Sequence, residues 1–391
     1  MLSDVHVALG VTGSIAAVKT VELAHELRRQ GAAVRGIVSP NATGIIHPWS
    51  VEFATDAPVV TEITGQVEHV DLFGEDGWAD VFLIAPATAN TVGKIAAAID
   101  DTPVTTCATT AIGAGVPTIV APAMHEPMLD HPGVLENLDR LEARGVTVID
   151  PRIEEGKAKI AEPDTVVLET ARAVSDSPLA GTHVVVTSGA TTEAIDPVRV
   201  ITNRASGRTG RAVARACYRL GAEVTVVHDG PALPYAAVRR AESVTEMIDE
   251  TVDAVADADA LISAAAISDY LVETHPEKLR SGEHRTLTLE PAPKLIDTVR
   301  ESNPELPIVG FKLETGADDA AMADAARETL ARVDLTFVVA NDADVMGREE
   351  SRVLIVDKDR TAPVAGSKDD IGAVVARELA TALAQGDGPE R

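Results

Sequence analysis

The sequence predicts an α/β protein of two domains, each a parallel sheet covered by helices. Three observations carry this. Short β-branched runs alternate with longer Ala-rich amphipathic stretches along the whole chain, the pattern of strands buried on both faces and of the helices that bury them. The alternation stops at Ser175-Asp176-Ser177-Pro178-Leu179-Ala180-Gly181, a turn-rich linker, and then restarts. At 391 residues the chain also exceeds what one core commonly organises. The two domains are expected at 1–178 and 179–391.

The elements follow in order. Strands are expected at 5–9, 34–38, 81–85, 118–121 and 146–149. Between the first two, Val18, Val21, Ala24 and Leu27 recur every three residues and form one apolar helical face. After the linker come strand 183–187, helix 207–220, strand 224–227, helix 246–256, strand 260–265, strand 308–312, helix 320–332, strand 336–340 and a last helix over 369–384.

Composition narrows the function classes. The formal net charge is −27, lysines are 9 of the 34 basic residues, and aromatics make up 3%. Such acidity suits a salt-rich cytoplasm, where a Debye length of ~3 Å at 1 M screens carboxylate repulsion. No basic stripe interrupts it, which excludes a nucleic-acid partner. No apolar run approaches the ~18 residues of a membrane span. The N-terminus lacks the basic and apolar regions of a signal peptide, so a cytoplasmic location is expected. Cys107 and Cys217 lie in apolar surroundings with no metal-ligand spacing and read as buried thiols rather than a disulfide or a zinc site.

Gly10-Val11-Thr12-Gly13-Ser14 follows the first strand. Gly10 and Gly13 permit a tight turn and close backbone approach. Ser14 can cap a helix starting near Ile15. Free N–H groups and the positive dipole end then face the turn, which suits a phosphate. The spacing is not the G-x-G-x-x-G of a dinucleotide site, and a mononucleotide such as FMN fits it better. Strand–turn–helix units of this kind also occur without a ligand, so the turn alone assigns none.

Further motifs sharpen the reading. His69 lies in Val-Glu-His-Val-Asp-Leu. Residues 84–92 read Ile-Ala-Pro-Ala-Thr-Ala-Asn-Thr-Val, and 121–128 read Ala-Pro-Ala-Met-His-Glu-Pro-Met. With the glycine–serine turn, this combination over 1–165 resembles the flavin-dependent cysteine decarboxylases of coenzyme A synthesis. The second half carries Thr187-Ser188-Gly189-Ala190-Thr191-Thr192-Glu193, Asp196-Pro197-Val198-Arg199 and Thr202-Asn203-Arg204-Ala205-Ser206-Gly207-Arg208-Thr209-Gly210. It continues with Ala264-Ala265-Ala266-Ile267-Ser268-Asp269-Tyr270, Pro276-Glu277-Lys278, Val309-Gly310-Phe311-Lys312-Leu313-Glu314-Thr315 and Ala340-Asn341-Asp342. These look like phosphopantothenate–cysteine ligase. The whole chain thus resembles the family of bifunctional ligase/decarboxylases, here of an archaeal, halophilic type.

The resemblance implies two Rossmann-like three-layer domains, a flavodoxin-like flavoprotein domain followed by a nucleotide-binding ligase domain. It implies that 4'-phosphopantothenate and cysteine are joined with CTP through an acyl-nucleotide, ATP being the nucleotide of eukaryotic relatives. The product is then decarboxylated with FMN as transient hydride acceptor. Gly13, Ser14, Ser39, Thr88 and Asn90 are implied as FMN ligands, with His69 the base and His125 the holder of the substrate carboxylate. On the ligase side Lys278 and Mg²⁺ are implied in activation and Asn203 in conversion of the acyl-nucleotide. Ser263, Ala264, Ala265, Asp269, Lys278, Pro293, Lys294, Leu295, Ile296, Phe311 and Arg327 are implied in binding CTP; no metal ligands are assigned.

The chain departs from the family pattern twice. His125 stands where the family commonly has asparagine. The flap stretch Glu155-Gly156-Lys157-Ala158-Lys159-Ile160-Ala161-Glu162-Pro163 has no cysteine, which leaves the proton donor unassigned, with Lys157 and Lys159 as acids or phosphate binders. Two alternatives stay open at this point, an active ligase with an inactive decarboxylase domain and a non-catalytic regulatory flavoprotein. A homo-oligomer is implied, a trimer or a dodecamer.

Overall fold

Side chains of the first apolar run leave the chain on alternate sides and are buried on both. In β1 (His6–Val11), Val7, Leu9 and Val11 enter one core and Ala8 another. The computed structural model describes residues 1–282, 284–316, 318–342 and 350–386. Within it the chain divides into two units, Met1–Ser175 and Asp176–Arg391.

In the first unit β2 (Ala33–Val38), β3 (Val81–Ala87), β4 (Thr118–Pro122) and β5 (Thr147–Val148) join β1 in a parallel sheet of order β2-β1-β3-β4-β5. This is the flavodoxin-like order. Its winding reverses between β1 and β3, and open α/β sheets hold ligands at the carboxyl ends beside such a reversal. Leu23, Ala24 and Leu27 of helix Thr20–Arg29 are buried against one face; helices Ala89–Ala96 and Pro103–Gly113 cover the other.

The buried face expected to begin at Val18 begins at Thr20 instead. Ser14 caps a short 3-10 helix, Ile15–Lys19, before the α-helix starts. The tighter winding turns Val18 outward, where it is 57% exposed.

In the second unit β6 (His183–Thr187), β7 (Glu223–Val227), β8 (Ala237–Arg239), β9 (Ala260–Ser263), β10 (Ile308–Glu314) and β11 (Phe337–Asp342) form a parallel array in the order β8-β7-β6-β9-β10-β11. That is the Rossmann order 3-2-1-4-5-6, reversing between β6 and β9. Val184 and Val186 face one core and Val185 the other, so this unit too has three layers. Helices Arg208–Arg219, Val244–Ala254, Asp319–Val333 and Lys368–Gly386 supply the outer layers.

Two antiparallel strands, β12 (Glu350–Val356) and β13 (Thr361–Ser367), extend the sheet beyond β11. Their tight connection is built on Asp357, whose Oδ1 accepts from the backbone N–H groups of Asp359 (2.9 Å) and Arg360 (2.7 Å). The expected linker is not wholly solvent-facing, since Leu179 is fully buried and its N–H donates to Leu220 O at 2.9 Å. Among the described residues no helix is long and apolar enough to cross a membrane.

Candidate active sites

At the carboxyl edge of the first sheet, four strand ends converge. A Cβ on Gly13 would lie 2.6 Å from Asn41 Cβ and 3.2 Å from the Asn41 carbonyl carbon. The chain after β1 thus passes the chain after β2 at a distance only glycine tolerates. Thr12 is buried and locks the neighbouring turn: its Oγ1 donates to Pro86 O at 2.7 Å and accepts from Thr88 N–H at 3.1 Å. Ser14 Oγ accepts from Ala16 N–H at 3.3 Å, as a cap should, and donates to Ala123 O at 3.0 Å. Ser39 is buried, and its N–H donates to Val11 O at 3.0 Å. Thr88 caps helix Ala89–Ala96 through Thr91 N–H, and Asn90 lies exposed in that helix's first turn.

His69 sits in helix Glu68–Phe73, which packs against Pro103–Gly113 and which the chain enters through Val67 in a left-handed conformation, φ 51°. The Nδ1 atom of His69 is buried and has no hydrogen-bond partner. An orphaned polar atom of this kind costs about 1–3 kcal/mol.

His125 stands on a three-stranded ribbon. Met124–His125 pairs with Lys157–Lys159, which pairs with Arg152–Glu154. His125 lies opposite Lys157, and Lys157 opposite Glu154, so the three share one face while Ala158 is buried on the other. Glu126 N–H donates to Gly156 O at 3.2 Å, closing the ribbon. Lys159 bonds Glu154 (2.9 Å) and Glu155 (3.3 Å), which raise its pKa above the ordinary lysine value. Lys157 is exposed and makes no ion pair among the described residues.

The second sheet repeats the arrangement. Gly189 (φ 93°) and Gly207 (φ 70°) meet backbone to backbone: a Cβ on Gly207 would lie 3.0 Å from Gly189 Cα. Ser188 Oγ donates to Gly207 O at 2.9 Å. Thr187 receives the next strand's end, its carbonyl from Ala264 N–H and its Oγ1 from Ala265 N–H at 3.2 Å, just beyond Ser263. Asn203 Nδ2 donates to Ala266 O at 3.0 Å. Asp269 pairs with Lys294, the cap residue of helix Leu295–Ser302, which follows Pro293 and contains Ile296. Phe311, in β10, is half-buried, and Lys278 is exposed on a loop.

Arg327, expected among the CTP-binding residues, stands apart from this group. It donates to Asp324 Oδ1 (3.1 Å) and Thr361 Oγ1 (2.8 Å). Thr361 pairs with Val356, which pairs with Val338 near the start of β11, so this contact lies at the amino edge of the sheet. Helix Asp319–Val333 runs from the carboxyl edge towards the amino edge, and Arg327 lies two turns along it.

Sequence reasoning missed His228, buried just past β7 with Nε2 unpartnered, and gave no role to Asp196, read only as part of a motif, whose carboxylate is buried. His228 has no local pattern, and only the folded contacts mark the burial of Asp196. Among the described residues no group of three or more His, Cys, Asp or Glu is placed to hold a metal ion.

Both cysteines are free and buried. Burial pushes each thiol up to about 12, with the Glu68 charge adding to the rise at Cys107. A raised native value means the unfolded chain, titrating near 9.0, loses its proton first. Stability from this source is therefore complete below about pH 9. It falls between about pH 9 and 12, by up to about 1.4 kcal/mol per pH unit for each thiol. Urea midpoints measured across that range are expected to fall less steeply in Cys107→Ala and Cys217→Ala than in the parent; equal slopes would remove the thiols as the cause.

Residues 1–175 match the Flavoprotein family, and residues 179–383 match the DNA/pantothenate metabolism flavoprotein C-terminal domain. The chain is 46% identical over 361 residues to the coenzyme A biosynthesis bifunctional protein CoaBC of Thermococcus kodakarensis, covering 90% of this chain and 89% of that one. It is 34% identical to the protein of that name from Methanocaldococcus jannaschii (95% and 92% covered) and 32% identical to that of Bacillus subtilis (97% and 98%).

Proposed function

From the premise that the chain belongs to the family of coenzyme A biosynthesis bifunctional proteins, as a ligase joined to a decarboxylase, we propose a substrate and a set of residues for each unit. The second unit joins 4'-phosphopantothenate to cysteine at the expense of CTP with Mg²⁺. The first removes carbon dioxide from the 4'-phosphopantothenoylcysteine so formed, giving 4'-phosphopantetheine.

One observation carries the decarboxylase reading: a turn at the carboxyl edge packed so closely on Asn41 that Gly13 admits no side chain, in the same unit as a buried ring nitrogen without a partner at His69. The residues fit FMN. Gly13, Ser14 and Ser39 would hold its phosphate, and Thr88 and Asn90 would approach the rest. Bound there, the flavin would serve as the electron sink that lets a cysteine carboxylate leave without an unstabilised carbanion. His69 accepts a proton from the substrate at Nδ1, a role suited to neutral imidazole. His125 donates to the substrate carboxylate. The carbon that loses carbon dioxide must gain a proton. With both thiols buried and Lys159 held by two carboxylates, Lys157 beside His125 is the flap group free to supply it.

In the ligase unit the substrate carboxylate attacks the α-phosphorus of CTP and pyrophosphate leaves. The amine of cysteine then displaces CMP. The first step brings anion to anion, and Lys278 neutralises the charge that builds on phosphate. Asn203 serves the second displacement. Ser263, Ala264, Ala265, Asp269, Pro293, Lys294, Leu295, Ile296 and Phe311 line the nucleotide's place at the carboxyl edge.

A homo-oligomer is part of this reading. Trp49 and Phe53, one turn apart on helix Pro48–Thr55, are 75% and 77% exposed in a chain with 3% aromatics. Paired aromatics so exposed suit a surface covered by another copy.

The test supplies 4'-phosphopantothenate, cysteine, CTP and Mg²⁺ in molar KCl and follows pyrophosphate and carbon dioxide separately. Both are expected; ATP outperforming CTP would replace the nucleotide. Gly13→Val is expected to yield colourless protein that takes up no added FMN, read from visible absorbance, with pyrophosphate release unchanged. Yellow Gly13→Val protein would remove this turn as the flavin's place.

A further inference from the structure

We propose that Asp196 and Arg199 form a clamp that positions Lys278 for the first step of ligation; the inference rests on the reading that Lys278 serves that step. Asp196 lies in the turn between two short antiparallel strands, Thr192–Ala194 and Val200–Thr202, and its side chain is fully buried. Its Oδ1 accepts from the N–H groups of Val198 (2.8 Å) and Arg199 (2.9 Å), and its Oδ2 from Arg199 Nε at 2.9 Å. The Arg199 guanidinium foremost, then the N–H groups of Leu279, Val198 and Arg199, hold this carboxyl well below the usual carboxylate range.

Local bonds would suffice to shape a turn. The bonds to Leu279 reach further. Leu279 N–H donates to Asp196 Oδ2 at 3.0 Å, and Leu279 O accepts from Arg199 Nη2 at 2.6 Å. Both main-chain polar groups of the residue next to Lys278 are therefore occupied by one ion pair, buried at its carboxylate and exposed at its guanidinium. Two more bonds continue the seam: Thr274 Oγ1 donates to Ala194 O at 2.8 Å, and His275 N–H donates to Ile195 O at 2.9 Å.

Between Tyr270–Val272 and Leu289–Pro291 the described residues form no helix or strand. Lys278 thus rides on chain that the clamp, rather than a ladder of its own, holds in place. The same hairpin ends at Thr202, so Asn203 follows directly from it. One buried carboxylate sets the backbone beneath the groups assigned to both displacements. Arg199→Lys would keep the charge and lose the planar fork that reaches Asp196 and Leu279 O together.

The experiment compares Asp196→Asn, Arg199→Lys and Lys278→Gln in the full chain, with CTP, Mg²⁺ and 4'-phosphopantothenate. It measures pyrophosphate release against CTP concentration in all three and, in the parent and the two variants that keep Lys278, trypsin cleavage after that residue. A displaced reacting group costs about a hundredfold in rate. Asp196→Asn is expected to lose that order in the maximal rate while the half-saturating CTP concentration moves far less, and to be cut faster after Lys278. Arg199→Lys, altered at the exposed end of the pair, is expected to shift both readings the same way by less.

If release is unchanged in the Asp196 and Arg199 variants while Lys278→Gln has lost it, the clamp is overturned and the role of Lys278 stands. If Lys278→Gln retains release, both fall. Slowed release without faster cleavage means the effect bypasses the loop, and this too overturns the clamp.

Discussion

Replacing His69 with asparagine is expected to cut carbon dioxide release from 4'-phosphopantothenoylcysteine by about 10²–10⁴-fold, the usual worth of a positioned general base. The geometry makes the variant informative. Asparagine is polar and smaller than the ring, and the helix Glu68–Phe73 owes its placement to buried Leu72 and Phe73 rather than to His69. The ring's Nδ1 has no partner to lose. Folding should therefore be little disturbed and flavin content retained. Pyrophosphate release by the other unit should be unchanged. Loss of both activities would undermine the division of labour between the units, and undiminished carbon dioxide release would reject His69 as the base. Parent protein that behaved like the variant would be the ligase with a silent decarboxylase domain, the alternative the sequence leaves open.

Lys278→Gln is expected to do the converse. Removing one preorganised donor from a developing anion costs about 10²–10³-fold, so pyrophosphate release should fall by that order. Decarboxylation of preformed 4'-phosphopantothenoylcysteine should proceed at the parent rate. Lys278 is exposed and makes no ion pair among the described residues, so glutamine there breaks no contact within the chain. Stability is expected to be unchanged, and a fall in melting temperature would show that the lysine does structural work instead.

Much of this was legible because the informative patterns are local. A β-branched run needs only its own residues to declare a doubly buried strand, and Gly13-Ser14 declares a turn and a cap within a few positions. Where the chain must be read across long separations, the sequence is mute. Nothing local shows that Gly13 is required by Asn41 rather than by its own φ. The ribbon that sets His125 against Lys157 joins segments about thirty residues apart, and neither segment alternates long enough to register as a strand. The place of Arg327 was hidden for a related reason. Order along the chain placed it on the right helix, but the distance travelled down that helix decides which edge of the sheet it serves. Asp196 was visible as part of a motif, yet its burial and its bonds to Leu279 emerge only on folding. Val18 shows the smallest such failure, since one turn of tighter helix rotated an apolar residue into solvent.

The lateral borders of the second sheet have a consequence for how the protein survives at high concentration. One border is β8, only three residues long. The other is β13, which carries Pro363 and packs against helix Lys368–Gly386. Neither offers a long, unblocked row of donors and acceptors on which a foreign strand could template itself. Growth into fibres by strand addition is discouraged at both margins.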